Sequence, residues 1–590
     1  MESPPERFRL FEELQLLELP GKFVIRSKES PIQGFSVDRR SGDILSPLVG
    51  EDDVAPTSNC RTSIIYGVVG TIRLLAGTHV LVVTSRKEVG TLFGFPIYRV
   101  TSMRFLSCNE AVNLSTPQEK KDEAYFMALL RVIESTPGLY YSYETDITLN
   151  LQRRFQLADG WMRKPPWKQA DPRFVWNKNL LEELIELKLD KFILPLLQGS
   201  FQTAELQLKG MPTIVTLISR RCTRRLGTRM WRRGANMEGD TANFIETEQI
   251  VEAKGFKLSL LQVRGSIPLL WEQIVDLSYK PGLRIIEHDQ MSEVVERHFL
   301  DLSQRYGDII AVDLTDKHGD EGKLSLAYAD QMQKLPNVRY IAFDFHHICG
   351  NSRYENLEVL YEQLSTDFEM QRYLLVDAEG KIMEEQRGVI RANCIDCLDR
   401  TNVTQSFLAQ RSLDIQLQRI GLLSPGESIS MFIEDYTVFR ILWAEQGDEI
   451  SLEYAGTHAL KGDLVRYGRQ TFVGSIKDGV SALSRYCLNN FHDGMRQDAI
   501  DLVSGHYSIN RYGIPPLQSR GLDSLAYLPI ASVLLVGGLT LTSVTIHHAG
   551  RNTQQLVSSM VCAGAAAGVM ALVKANGRQL CSRPRLCGLL

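Results

Sequence analysis

The first hundred residues alternate short apolar runs with glycines. Runs over 63–69, 72–75 and 80–84 are punctuated by Gly67, Gly70, Gly77 and Gly90, and 88–94 repeats the turn-and-strand unit. This pattern predicts a β-rich layer over 8–108. Thr116, Pro117 and Glu119 then form a capping signature for a helix reaching Ile133. Prolines and polar residues cluster at 165–172, an expected boundary. Beyond it, helical patterns at 177–187 and 291–306 alternate with strand-like runs at 212–218, 308–313 and 338–345. Strands alternating with helices argue an α/β domain around a central sheet.

The C-terminal pattern is different. Residues 505–523 shift to Gly, Pro, Ser and scattered charge, which reads as a linker. No Asp, Glu, Lys or Arg occurs over 524–550 or again over 552–573. The apolar parts, about 525–546 and 556–573, are long enough to cross a bilayer, the second only just. A transmembrane helical hairpin is expected, packed through Gly564 and Gly568; the competing reading is a buried core hairpin. Arg511, Arg520, Lys574, Arg578, Arg583 and Arg585 flank the pair, and only Arg551 lies in the connection. The positive-inside rule puts the bulk of the chain and the C-terminus in the cytosol. Cys587-Gly588-Leu589-Leu590 faintly resembles a prenylation box, but glycine fits its second position poorly.

Composition narrows the class. At 590 residues the chain is too long for one ordinary core. Hydrophobic content of 44% and charged content of 23% are those of a globular protein. A net charge of -4 gives no bulk attraction for nucleic acid. Ten irregularly spaced cysteines are no disulfide framework, so a reducing compartment is expected. The N-terminus lacks a basic region followed by an apolar core, so it is not a secretory signal. Seven arginines crowd 220–233. Two readings stand: a solvated face with structural ion pairs, or a basic surface facing anionic lipid headgroups.

The densest chemistry runs from Arg391 to Asn402 and reads RANCIDCLDRTN. Five residues separate Cys394 from Arg400, with a short strand expected upstream at 386–391 and a helix downstream from 403. A loop closed between a cysteine and an arginine, opening into a helix, can wrap a tetrahedral phosphate with its N–H groups. The arginine fork grips two phosphate oxygens. The same field lowers the cysteine pKa and makes Cys394 a thiolate nucleophile near neutral pH. Cys394 and Cys397 could instead be half a zinc site or a redox pair. No second pair at metal spacing occurs, and a redox pair has no need of Arg400 and Thr401.

The twelve-residue string resembles the catalytic signature of the Sac-domain phosphoinositide phosphatases, R-x-N-C-x-D-C-L-D-R-T-N, at every fixed position. Blocks at 227–234, 239–249, 263–273 and 443–463 resemble the same family, so the likeness covers most of 1–506. The resemblance implies removal of phosphate from the inositol ring of phosphatidylinositol phosphates, the 4-phosphate first, without metal or cofactor. It implies a β-rich N-terminal domain at 1–170, a catalytic domain at 171–506, a linker at 507–523, two transmembrane helices at 524–573 and a cytosolic tail at 574–590. The expected host is the endoplasmic reticulum membrane, with the Golgi membrane second. Phosphoinositide lipid is the expected partner, with no nucleic acid.

Cys394, Arg400, Asp396 and Asp399 are the expected catalytic residues. Asn393, Ile395, Cys397, Leu398, Thr401 and Asn402 complete the expected substrate loop. An inositol alkoxide is a poor leaving group and needs a general acid. Carboxylates inside a phosphate loop repel the substrate, so either one is held protonated or both turn away and pair with basic residues. Asp396 is favoured as the acid and Asp399 as structural, with an acid from another loop as the alternative. Two rival functions remain at this level: a catalytically weak lipid-binding tether, and a membrane-anchored protein tyrosine phosphatase. A chain ending near Ser519 is expected to keep full activity on soluble substrate.

Overall fold

The structure, a computed structural model, describes residues 7–46, 48, 60–108, 116–158, 160–350, 354–509 and 577–587. The expected transmembrane segments 525–546 and 556–573, and most of the expected linker, lie outside the described residues. Among the described residues no helix is long and apolar enough to cross a membrane.

The N-terminus is β-rich, as its glycine-punctuated pattern implies. Five strands pair in the order Ile44–Leu45, Gly34–Asp38, Lys22–Ser27, Leu14–Glu18 and Arg61–Ile65. A second, larger sheet contains a path running from Val68–Arg73 through the long hairpin Thr78–Leu92 and Phe95–Ser107. It continues through Leu139–Tyr141, Leu197–Leu208, Met211–Arg221, Ile245–Ala253 and Phe256–Arg264, all antiparallel. The far end turns parallel. Gly388–Asn393 lies between Phe256–Arg264 and Asp308–Asp313, and Val338–Ala342 closes the edge. Gly388–Asn393 is buried along its whole length, as a strand covered on both faces must be. The sheet is therefore mixed, and the expected α/β pattern of strands and helices describes its far end only.

Local signals translate well where they are chemical. Thr116 caps Pro117–Glu134 with the reciprocal Glu119 bond of a capping box. Met291–Tyr306 and Asp308–Asp313 match their sequence patterns, and the helix buries Val294, Val295, Phe299 and Leu302. The run at 338–345 divides: the strand ends at Ala342, because Asp344 caps the short helix Phe345–Cys349.

The arginine run is not a lipid-facing surface. Arg220, Arg221, Arg225, Arg232 and Arg233 are buried. Arg220 bonds Glu246 and Glu248 at 2.9 and 2.6 Å, and Arg232 grips Asp501 at 2.8 Å. Removing one partner of such a buried pair strands the other charge and costs about 3–5 kcal/mol. The charges cluster in sequence because strand Met211–Arg221 and the loop after it cross an acidic interior.

The tail beyond the expected spans returns to the body. Gly577 lies so close to Asp276 that a Cβ would meet its carbonyl oxygen at 2.2 Å. Cys581 is buried, and its thiol donates to Asn490 Oδ1 at 3.3 Å. Ser582 N–H donates to the Asn490 carbonyl at 2.7 Å. Arg585 and Leu586 N–H groups both donate to the Asp498 carboxylate, and Leu586 packs into an apolar cluster with Phe126 and Leu502. The expectation for a chain ending near Ser519 leaves these contacts out. Deleting everything beyond 519 removes a buried cysteine, a packed leucine and two N–H donors to Asp498, which keeps Tyr125, and should destabilise the soluble part by about 2–4 kcal/mol. Turnover on a soluble short-chain substrate should fall with it, since Asn490 also braces the cleft described next. The check is a thermal melt beside an activity assay; an unchanged melting temperature would show the tail contributes nothing.

Candidate active site

Strand Gly388–Asn393 ends inside the molecule and delivers residues 394–398 to the start of helix Asp399–Arg419. The turn is tight. Cys397 holds φ at 53°, a left-handed conformation that a non-glycine residue adopts only when its surroundings impose it. That twist aims the Cys397 N–H at Cys394 Sγ, 3.1 Å away. Thr401 Oγ donates to the same sulfur at 3.4 Å from the first turn of the helix. Leu398 supplies no side-chain cap, so the helix begins without a side-chain acceptor over its first amides.

Burial pushes the Cys394 thiol up. Hydrogen bonding from Cys397, the positive charge of Arg400 and the Thr401 hydroxyl outweigh it and bring the pKa down to about 6. Cys397 goes the other way, held well above the ordinary thiol range by burial and by Cys394 beside it. Two cysteines three residues apart thus divide into a thiolate and a thiol.

Arg400 is positioned rather than free. Its Nη1 donates to the Leu314 carbonyl at 3.0 Å and to Glu321 at 2.9 Å, and its Nη2 reaches the other Glu321 oxygen at 3.3 Å. Asp316 lies 3.3 Å from Nη1 and 2.7 Å from His346 Nδ1. Burial opposes the Asp316 charge, but the His346 bond and Arg400 hold its carboxyl below the usual range.

Asp396 is gripped by two residues of the arginine run. Arg229 and Arg233 each donate to one of its oxygens at 2.6 Å, and Arg233 also reaches the Ile395 carbonyl at 3.0 Å. Burial disfavours the charge, yet the two guanidiniums hold this carboxyl far below the ordinary range. This runs against the expected protonated acid. Asp399 accepts the Leu460 N–H at 2.7 Å and faces Arg485 at 3.4 Å. Both aspartates turn to basic or N–H partners, the second of the two arrangements the sequence allowed.

A cleft of about 560 Å³ opens over these groups, enough for a phosphorylated sugar ring. Cys394, Ile395, Asp396, Asp399 and Arg400 line it. The rest of the expected loop set faces inward. Asn393 bonds Asp313 at 2.6 Å and Arg391 at 2.8 Å; Asn402 bonds Arg264 and the Trp443 carbonyl. Cys397 donates to the Gly265 carbonyl, and Leu398 packs against Tyr454 and Ile450. These residues shape the loop from behind. Sequence reasoning missed the opposite walls: residues 275–281, the 316–321 loop with His346, and Ala482, Arg485, Tyr486 and Asn489 of helix Phe472–Phe491. Nothing in their spacing marks them, because they meet the signature only through the fold. Among the described residues no cluster of ligands could hold a metal ion.

Residues 66–350 match the family described as the SacI homology domain. The chain is 64% identical to phosphoinositide phosphatase SAC8 of Arabidopsis thaliana over the full length of both. It is 45% identical to phosphoinositide phosphatase SAC7 of the same plant, over 99% of each. It is 32% identical to phosphatidylinositol-3-phosphatase SAC1 of Saccharomyces cerevisiae, over 82% of this chain and 78% of that protein.

Proposed function

Because this chain belongs to the Sac-domain (SacI homology) family of phosphoinositide phosphatases, we propose that it removes phosphate from the inositol ring of phosphatidylinositol phosphates through a phosphocysteine on Cys394. The observation that supports the mechanism is the place of Cys394 Sγ, which accepts the Cys397 N–H at 3.1 Å and lines the same cleft as Arg400. Its lone pair attacks phosphorus, an S–P bond forms, and the P–O bond to the ring breaks. Arg400 and the amides that begin helix Asp399–Arg419 stabilise the equatorial oxygens. Water then attacks phosphorus, the S–P bond breaks, and the thiolate returns. Residues 1–170 and 171–506 act as the supporting and catalytic parts, with the hairpin at 524–573 as the anchor in an endoplasmic reticulum or Golgi membrane.

A single phosphate suits the cleft. The cationic lining residues Arg229, Lys280, Arg400, Lys461 and Arg485 are equalled in number by the carboxylates Asp316, Asp320, Glu321, Asp396 and Asp399. A ring carrying a second phosphate meets that many carboxylates without surplus positive charge. The first choice is phosphatidylinositol 4-phosphate. The yeast relative's name specifies the 3-position, so the test is a panel of the ring monophosphates with a phosphotyrosine peptide alongside. Phosphate release from the 4-phosphate well above the others supports the reading, and preference for the peptide overturns it.

Asp396 takes the role of a fixed anion that locks Arg229, Arg233 and the loop together. The leaving-group proton comes from another wall, and His346, which lines the cleft with its Nδ1 2.7 Å from Asp316, is placed to supply it. Asp396→Asn should therefore slow an inositol phosphate and an aryl phosphate alike, by about 10–100-fold. His346→Asn should slow the inositol substrate selectively, since an aryl leaving group needs no proton. A loss on Asp396→Asn confined to the inositol substrate would restore the acid role to Asp396.

The depressed thiol sets a pH profile. kcat/KM should rise with pH through an apparent pKa near 6 as Cys394 ionises, falling about tenfold per unit below it. The sign for stability is the same: a depressed folded value contributes stability above the unfolded thiol pKa, and that contribution is lost as pH falls through about 6. An acid limb near 8 would mean the thiol is not activated.

A further inference from the structure

Helix Phe472–Phe491 is amphipathic the wrong way round. Its buried residues are Gly474, Arg485, Asn489 and Asn490, none of them a large apolar side chain. Four of its apolar residues point out: Phe472 is 82% exposed, Ile476 54%, Val480 62% and Leu483 66%. The spacing of four, four and three keeps these four on one face of the helix. None of them joins an interior apolar cluster. Helix Met291–Tyr306, by contrast, turns Val294, Val295, Phe299 and Leu302 inward.

We propose that this stripe beds into the surface of the bilayer that carries the substrate and holds the cleft mouth against it, an inference that rests on the lipid phosphatase reading above. Three observations favour lipid as the occupant. Another face of the same helix lines the cleft through Arg485 and Tyr486, so stripe and chemistry share one rigid element. A lipid substrate keeps its acyl chains in the bilayer, so its headgroup reaches a cleft only where the mouth lies on the surface. Exposed charge nearby is positive: Arg469 and Lys477 are exposed, while Asp463 and Asp478 are engaged by Thr471 and by the Lys461 N–H. That balance suits an anionic headgroup layer. The helix also reaches the 277–281 loop, where Tyr486 Oη donates to the Leu277 carbonyl at 2.9 Å; Tyr279 and Lys280 of that loop line the cleft and Tyr279 is exposed, a pair suited to a membrane interface.

The helix also reaches the signature directly. Arg485 donates to Thr457 Oγ at 2.8 Å and to the His458 carbonyl at 3.0 Å, and it faces Asp399 at 3.4 Å. Docking the stripe therefore fixes the 457–461 loop and Asp399 together.

The test uses the full chain reconstituted in phosphatidylcholine vesicles carrying phosphatidylinositol 4-phosphate, beside a soluble dibutanoyl form of the same lipid. The triple variant Phe472→Ser, Ile476→Ser, Val480→Ser should lose tenfold or more on the vesicle lipid and stay within twofold on the soluble one. Phe472→Trp should gain fluorescence quenched by brominated acyl chains, a readout independent of activity. No loss on vesicles, or equal losses on both substrates, overturns the proposal. So does a stripe tryptophan that bromine does not quench, including the case where wild type pairs with a second copy and the triple variant does not. A wild type inactive on the soluble lipid would defeat the substrate reading, while the quenching experiment still judges the helix.

Discussion

Cys394→Ser should reduce phosphate release by about 10⁴-fold or more while moving the melting temperature by no more than a few degrees. Serine at this position keeps the shape and the contacts from Cys397 N–H and Thr401 Oγ. It cannot ionise near neutral pH, so the attacking anion is lost outright. Cys397→Ser is the control. That thiol is buried and donates to the Gly265 carbonyl at 2.9 Å, a bond a hydroxyl repeats. Its loss should be nearer tenfold, through a slight shift of the turn. If Cys394→Ser kept wild-type turnover, or if the two serine variants were equally impaired, Cys394 would not be the nucleophile.

Arg400→Lys should cost about 10²–10³-fold in kcat/KM, the usual effect of removing one preorganised donor from a developing charge. The guanidinium does two things that an ammonium cannot do together. It takes Glu321 on both Nη donors and the Leu314 carbonyl on Nη1, a fixed planar arrangement that an ammonium does not repeat. Its charge also helps hold Cys394 as a thiolate. The acid limb of the lysine variant should therefore move up in pH, a shift that a merely structural residue would not produce. Retention of kcat/KM within threefold would remove Arg400 from the chemistry.

The sequence carried the chemistry further than the architecture. The spacing of Cys394 and Arg400 is local, and a strand-loop-helix context is readable from hydrophobic runs, so the turn that brings both residues to one cleft was legible. The state of Asp396 was not. It depends on Arg229 and Arg233, and the latter lies 163 residues away in the chain. Nothing in the spacing of the arginine run separates a buried ion pair from an exposed basic patch, because both need the same residues. The antiparallel majority of the large sheet was also hidden, since long paired strands such as Leu197–Leu208 and Met211–Arg221 give the same apolar runs in either direction. The C-terminal tail read as a cytosolic extension not needed for activity on soluble substrate; its contacts with the body rest on Cys581 and Leu586, two short apolar side chains among arginines.

The most direct measurement is to mix the full chain with phosphatidylinositol 4-phosphate labelled on the ring phosphate, quench within milliseconds, and map the label. The account predicts transient label on the peptide bearing Cys394, enriched when the second step is slowed and absent from Cys394→Ser. Rapid hydrolysis with no labelled peptide at any time, or label on a different residue, would contradict it.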